Sequence, residues 1–88
     1  MDTESLQARI EHESVELRAL YPHIKDCHAA LACWTDAAGV HHALHLDIRW
    51  PQHQTLVSGE SKDNAAAAIE AGFRTARQRV HEAAQGTR

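Results

Sequence analysis

Cys27-His-Ala-Ala-Leu-Ala-Cys-Trp34, then Thr35-Asp-Ala-Ala-Gly39, and after it Ala43-Leu-His-Leu-Asp-Ile-Arg-Trp-Pro51 form the stretch that decides the fold. In the first segment Cys27, Ala29, Leu31 and Cys33 share one face, and His28, Ala30, Ala32 and Trp34 share the other. That period of two belongs to a strand. In the third segment Leu44, Leu46, Ile48 and Trp50 alternate with Ala43, His45, Asp47 and Arg49 until Pro51 ends the run. Between them lie turn-forming residues, with Gly39 free to take a positive φ. The pair predicts an antiparallel hairpin. Setting Cys33 against Leu44, Leu31 against Leu46, Ala29 against Ile48 and Cys27 against Trp50 puts every apolar residue on one face. A slip of one residue would bury polar groups. The opposite face then carries His28 beside Arg49 and Ala30 beside Asp47.

On the N-terminal side, Leu6, Ile10, Leu17 and Leu20 or Tyr21 recur at helical spacing, predicting a helix over 3–21. Asp2 or Thr3 caps it and Pro22 stops it. On the C-terminal side a weaker strand runs from Thr55 to Ser58 or Gly59, followed by a helix over 63–84. Ser61 or Asp63 caps that helix and Gly86 ends it. Its inward stripe is Ala65, Ala68, Ile69, Phe73, Ala76 and Val80, and Gly72 marks a close approach to the sheet. Glu70, Arg74, Arg77 and His81 line an outer face. The resulting order, α-β-β-β-α, reads as an α+β sandwich of two layers, with both helices on one face of a three-stranded antiparallel sheet.

The 88 residues have room for one small domain. Hydrophobic content of 43% with 24% charged residues is that of a folded globular chain. The apolar runs are short and alanine-rich, which excludes a membrane span, and Met1-Asp-Thr-Glu4 does not open an export signal. A formal charge of −3 announces no nucleic-acid binder. Cytoplasmic residence is the expectation, since two cysteines fit a reduced chain better than a disulfide framework.

From Ile24 to the end of the last helix the chain resembles the hibernation-promoting factors and ribosome-associated translation inhibitors, also known as sigma-factor modulation proteins. Leu17 through Ile24 followed by Cys27 is similar to that family's exit from its first helix. His42-Ala-Leu-His-Leu-Asp-Ile-Arg-Trp-Pro51 is similar to its long central strand, and Asn64-Ala-Ala-Ala-Ala-Ile-Glu-Ala-Gly-Phe-Arg-Thr-Ala-Arg77 to its last helix. The resemblance implies a β-α-β-β-β-α fold that occupies the messenger and transfer-RNA channel of the small ribosomal subunit and inhibits translation there. Basic side chains on the helices would hold ribosomal RNA phosphates. The residues in position to do so here are Arg77, the best match, with Arg74, Arg79, Lys62, Lys25 and Arg18.

This chain departs from the family in two ways. The chain begins almost at the first helix, so the family's first strand is either lost or lies upstream of Met1; its loss would leave the Cys27–Trp34 edge open to another chain, with a homodimer through that edge as the expectation. Glu13 and Glu16 stand where the family tends to carry lysine or arginine, which weakens phosphate attraction. Ribosomal RNA binding with inhibition of translation is the leading expectation, and a self-associating protein–protein module without ribosome binding is the alternative. A double-stranded RNA-binding domain shares the element order but grips phosphates with several lysines, where this chain offers Lys62-Asp-Asn64.

Other constellations point to little chemistry. His41, His42, His45 and Asp47 lack the convergence that a metal needs, and read as surface residues, so neither metal nor cofactor is expected. Cys27 and Cys33 lie about 20 Å apart on one strand, too far to bridge, and read as small core residues. Trp50 reads as core and Trp34 as an outer-face residue beside the turn. No glycine-rich phosphate loop, Gly-x-Ser-x-Gly elbow or paired carboxylates occur, so no catalytic residues and no enzyme are expected.

Overall fold

The computed structural model describes residues 3–51 and 53–86. Along the chain run α1 (Thr3–Leu20), β1 (Asp26–Asp36), β2 (Gly39–Trp50), β3 (His53–Ser61) and α2 (Ala65–Gly86). The strands form one antiparallel sheet in the order β1-β2-β3, and the architecture is α+β. Of the residues expected to cap α1, Asp2 lies outside the described residues.

Alternation puts Leu44, Leu46 and Ile48 on the inner face of the central strand, where each is at most 1% exposed. Val57 joins them from β3, and Ile69, Phe73, Ala76 and Val80 cover them from α2. The helix can come this close because two glycines meet: a Cβ on Gly59 would overlap the backbone of Gly72 and lie 2.8 Å from the Ala68 carbonyl oxygen. The close approach expected at Gly72 is therefore present, with its main partner on β3.

α1 is held more loosely. Of its described side chains, Leu17 is the one that is fully buried; Leu6 and Ile10 only flank the core. Beyond Leu20, Pro22 cannot continue the helix. The Tyr21 N–H donates to the Leu17 carbonyl at 3.1 Å, and the Ile24 N–H donates to that of Tyr21 at 3.1 Å. This turn drops Ile24 into the core at 6% exposure.

The hairpin register differs from the expected one by two residues. Cys27 faces Ile48, Ala29 faces Leu46, Leu31 faces Leu44 and Cys33 faces His42. Consequently His28 stands opposite Asp47, not Arg49, and Ala30 opposite His45, not Asp47. The turn sets this. The Asp36 carboxylate accepts the Ala38 N–H at 2.8 Å, so Asp36 and Gly39 close a loop of Ala37 and Ala38 alone. Gly39 takes φ 117°, as its position required. A shift of two keeps every side chain on its face, which is why the apolar pattern could not distinguish the two pairings.

Strand ends also moved outward: β1 extends to Asp36, β2 starts at Gly39 and β3 covers His53–Ser61. The cap of α2 is Asn64 rather than Ser61 or Asp63, since its Oδ1 accepts the Ala67 N–H at 2.8 Å. Ser61 instead accepts the Asp63 N–H at 3.0 Å and shapes the approach to the helix.

Candidate functional site

The cations expected to hold phosphate do not form one surface. Lys25 and Arg18 sit at the start of β1, where the Arg18 guanidinium donates to the Lys25 carbonyl at 3.5 Å. Lys62 follows the end of β3, across β2 from the other end of β1, about 30 Å away along the strands. Arg77 and Arg79 project about 200° apart around α2. Arg74 donates to Glu70 at 3.2 Å along its own helix, and Arg77 donates to Glu13 of α1 at 3.0 Å. Lys25, Lys62 and Arg79 are exposed.

The face drawn as outward on α2 is in part its seam with α1. Glu70 is 3.9 Å from Arg9, Arg77 reaches Glu13, and His81 shares a hydrogen bond with the Tyr21 hydroxyl at 3.3 Å. Helical period shows which residues share a face; it does not show where a second helix lies. Glu13 therefore pairs with Arg77, the first of the expected phosphate contacts.

Histidines divide across the sheet by the same period of two. His41 and His45 project outward, bound to Asp36 and to the Ser58 hydroxyl at 2.8 Å each, whereas His42 points inward with its Nδ1 buried and unpaired. Among the described residues, no three metal-binding side chains converge. Hydrogen bonds from His41 and from the Ala38 N–H pull the Asp36 carboxyl below its ordinary range. For Asp47 the main cause is the Gln54 amide, donating at 2.9 Å, with Arg49 adding to it. Trp34, 40% exposed, stacks on His41 with ring centroids 5.3 Å apart. Trp50 is half-buried against the core as expected, packed edge-on to His53.

The two cysteines are not buried core residues. Cys27 is half-covered and Cys33 is exposed, because β1 is an edge strand whose inner side α1 does not close. An open groove of 630 Å³ separates α1 from β1, lined by Leu6, Ile10, Ser14 and Val15 on one side and Cys27, Ala29 and Leu31 on the other. A second hollow of 580 Å³ continues past Leu31 and Cys33 to the start of α2. Val15 is 66% exposed and Leu31 36%. Burial raises the Cys27 thiol, against the lowering effects of the Ser14 hydrogen bond and the Arg18 charge.

The backbone of that edge is equally open. In a two-residue hairpin the closing pair exchanges both of its hydrogen bonds. With Asp36 and Gly39 as that pair, the even-numbered residues of β1 bond to β2. The N–H and C=O groups of Cys27, Ala29, Leu31 and Cys33 then point away from the sheet. Between Cys27 and Trp34 there is no proline, glycine, lysine or carboxylate of the kind that normally guards an edge. The open edge was legible in the sequence; the groove behind it was not, although Val15, off the buried stripe of α1, was a signal for it.

Comparison with known protein families, curated proteins and solved structures finds no match to this chain. Among the described residues, no helix is long and apolar enough to cross a membrane.

Proposed function

We propose that this chain is a protein–protein interaction module whose working surface is the β1 edge and the groove beside it. The observation that carries this reading is the coincidence of three features: four outward-facing backbone residues, an unguarded strand, and an apolar hollow directly behind them. A partner segment in extended conformation would add a fourth strand, bonding to both the N–H and the C=O groups of the edge. Its inward side chains would enter the groove against Leu6, Ile10 and Leu31.

A test uses a synthetic peptide with the sequence of residues 26–36 as the probe strand. Titrated into isotope-labelled protein, it should shift and protect the amides of Cys27, Ala29, Leu31 and Cys33, and Ala29→Pro should abolish the effect. The reading is overturned if the peptide leaves those amides unchanged.

Ribosomal RNA binding in the small-subunit decoding channel, with inhibition of translation, is the second reading. What favours it is the resemblance, together with the exposed Lys25, Lys62 and Arg79 and with Arg74, whose surface pair with Glu70 is weak enough for a phosphate to displace. Against it stand the contact between Arg77 and Glu13 and the spread of the other cations. Co-sedimentation with small subunits that weakens with salt and falls further in Arg77→Glu, while Ala29→Pro has no effect, would put this reading first.

A further inference from the structure

We infer that the strand this edge accepts is β1 of a second copy, antiparallel about a two-fold axis through Ala30, which merges two sheets into one of six strands. This rests on the edge reading above and adds to it an occupant and a register.

Self-complementarity of the strand ends is the first argument. Lys25, with Arg18 bound to its carbonyl, outweighs Asp26 at the start of β1, and Asp36 closes the other end. An antiparallel pair sets the cationic end of each copy beside the anionic end of the other, twice over. With the axis at Ala30, Lys25 lies opposite Thr35 of the second copy, whose neighbour Asp36 projects from the other face of the sheet, and Asp26 lies opposite its Trp34. Moving the axis to Leu31 would set Asp26 directly against Asp36, a like-charge pair that strands avoid.

Backbone parity and side-chain size agree with that axis. Residues directly opposite in an antiparallel pair share a face, so an axis through Ala30 sets Ala29 opposite Leu31 and Cys27 opposite Cys33 on the inner side. These are the residues whose N–H and C=O groups point outward. Leu31 of the second copy would then lie over the groove beneath Ile10 and Val15, covering apolar surface that the chain leaves open. On the outer side, Ala30 meets its own copy and His28 meets Ala32, so nothing bulky lies at the centre of the joint, and Trp34 flanks it opposite Asp26.

Sedimentation equilibrium of the full chain, from low micromolar to about 100 µM, reads the mass directly. The expected result is a rise from 9.8 kDa to about twice that value. Ala29→Pro removes an outward N–H while leaving the β1–β2 bonds intact, and should remain monomeric. Ala30→Lys, at an exposed position that does not threaten folding, puts two like charges on the axis and should also remain monomeric. A short bis-maleimide should link two chains of the parent protein, and the link should vanish in both Cys27→Ser and Cys33→Ser.

A monomer at every concentration overturns the inference, as does a dimer that persists in both edge variants. A link surviving in either single-cysteine variant overturns the register. If the monomeric chain still binds the 26–36 peptide, the second copy is ruled out while the edge reading stands; if it binds neither, both readings fall.

Discussion

Replacing Gly59 by alanine probes the tightest contact in the fold. Its Cβ would overlap the Gly72 backbone and lie 2.8 Å from the Ala68 carbonyl oxygen. Neither obstacle is a flexible side chain, so α2 as a whole must lift from β3. Overpacking of this kind costs about 1–3 kcal/mol. In a chain of this size that lowers the melting temperature by roughly 5–20 °C. Gly72→Ala is the control. There the new Cβ meets the Leu44 side chain, Cδ2 at 2.9 Å and Cβ at 3.3 Å, rather than backbone, so the shift demanded is smaller. A helix also gains about 1 kcal/mol when alanine replaces an interior glycine. The two effects nearly cancel, and the net change should lie within about 1 kcal/mol of zero. Urea unfolding followed by tryptophan fluorescence and circular dichroism measures both variants. Gly59→Ala matching the parent in stability, or Gly72→Ala being the more damaging of the two, would refute the packing described for α2.

Leu17→Ala removes the one fully buried side chain described on α1 and should cost about 2–5 kcal/mol by urea denaturation, with loss of helical signal. The pair of Arg77 with Glu13 is part-exposed, and a double-mutant cycle to alanine should give a coupling of at most about 1 kcal/mol that shrinks with added salt. Asp36 and Asp47 both have carboxyls lowered in the folded chain. Their stabilisation is present above the unfolded carboxyl value of about 3.9 and is lost as pH falls through the lower folded values. Asp47→Asn should therefore flatten the decline of the urea midpoint across the acid range. Toward Ellman's reagent at low micromolar protein, exposed Cys33 should react before Cys27, whose thiol is raised by burial; equal rates in the two single-cysteine variants would contradict this.

Much of the fold could be read from the strands themselves. Alternation through Leu44, Leu46 and Ile48 identified the central strand and its buried face, and the stripe from Ala68 to Val80 identified the covering helix. The pairing of β1 with β2 escaped by two residues because hydrophobic pattern is blind to even shifts, and a single Asx contact at Asp36 decided it. The cysteines were misplaced for a different reason. Facing inward on an edge strand is not the same as being covered: Cys27, beside Ser14 of α1, is half-covered and Cys33 is exposed. On the helices, period alone could not tell that Arg77 and His81 reach Glu13 and Tyr21.

Residue-resolved amide exchange in β1, at low micromolar and at several hundred micromolar protein, tests the central claim most directly. At the lower concentration the even-numbered amides from His28 to Trp34 should exchange slowly, and those of Cys27, Ala29, Leu31 and Cys33 quickly. At the higher concentration the fast set should slow. Odd-numbered amides already protected in the dilute sample would contradict an open edge, and odd-numbered amides that stay fast both at high concentration and with the 26–36 peptide would contradict its use as a binding surface.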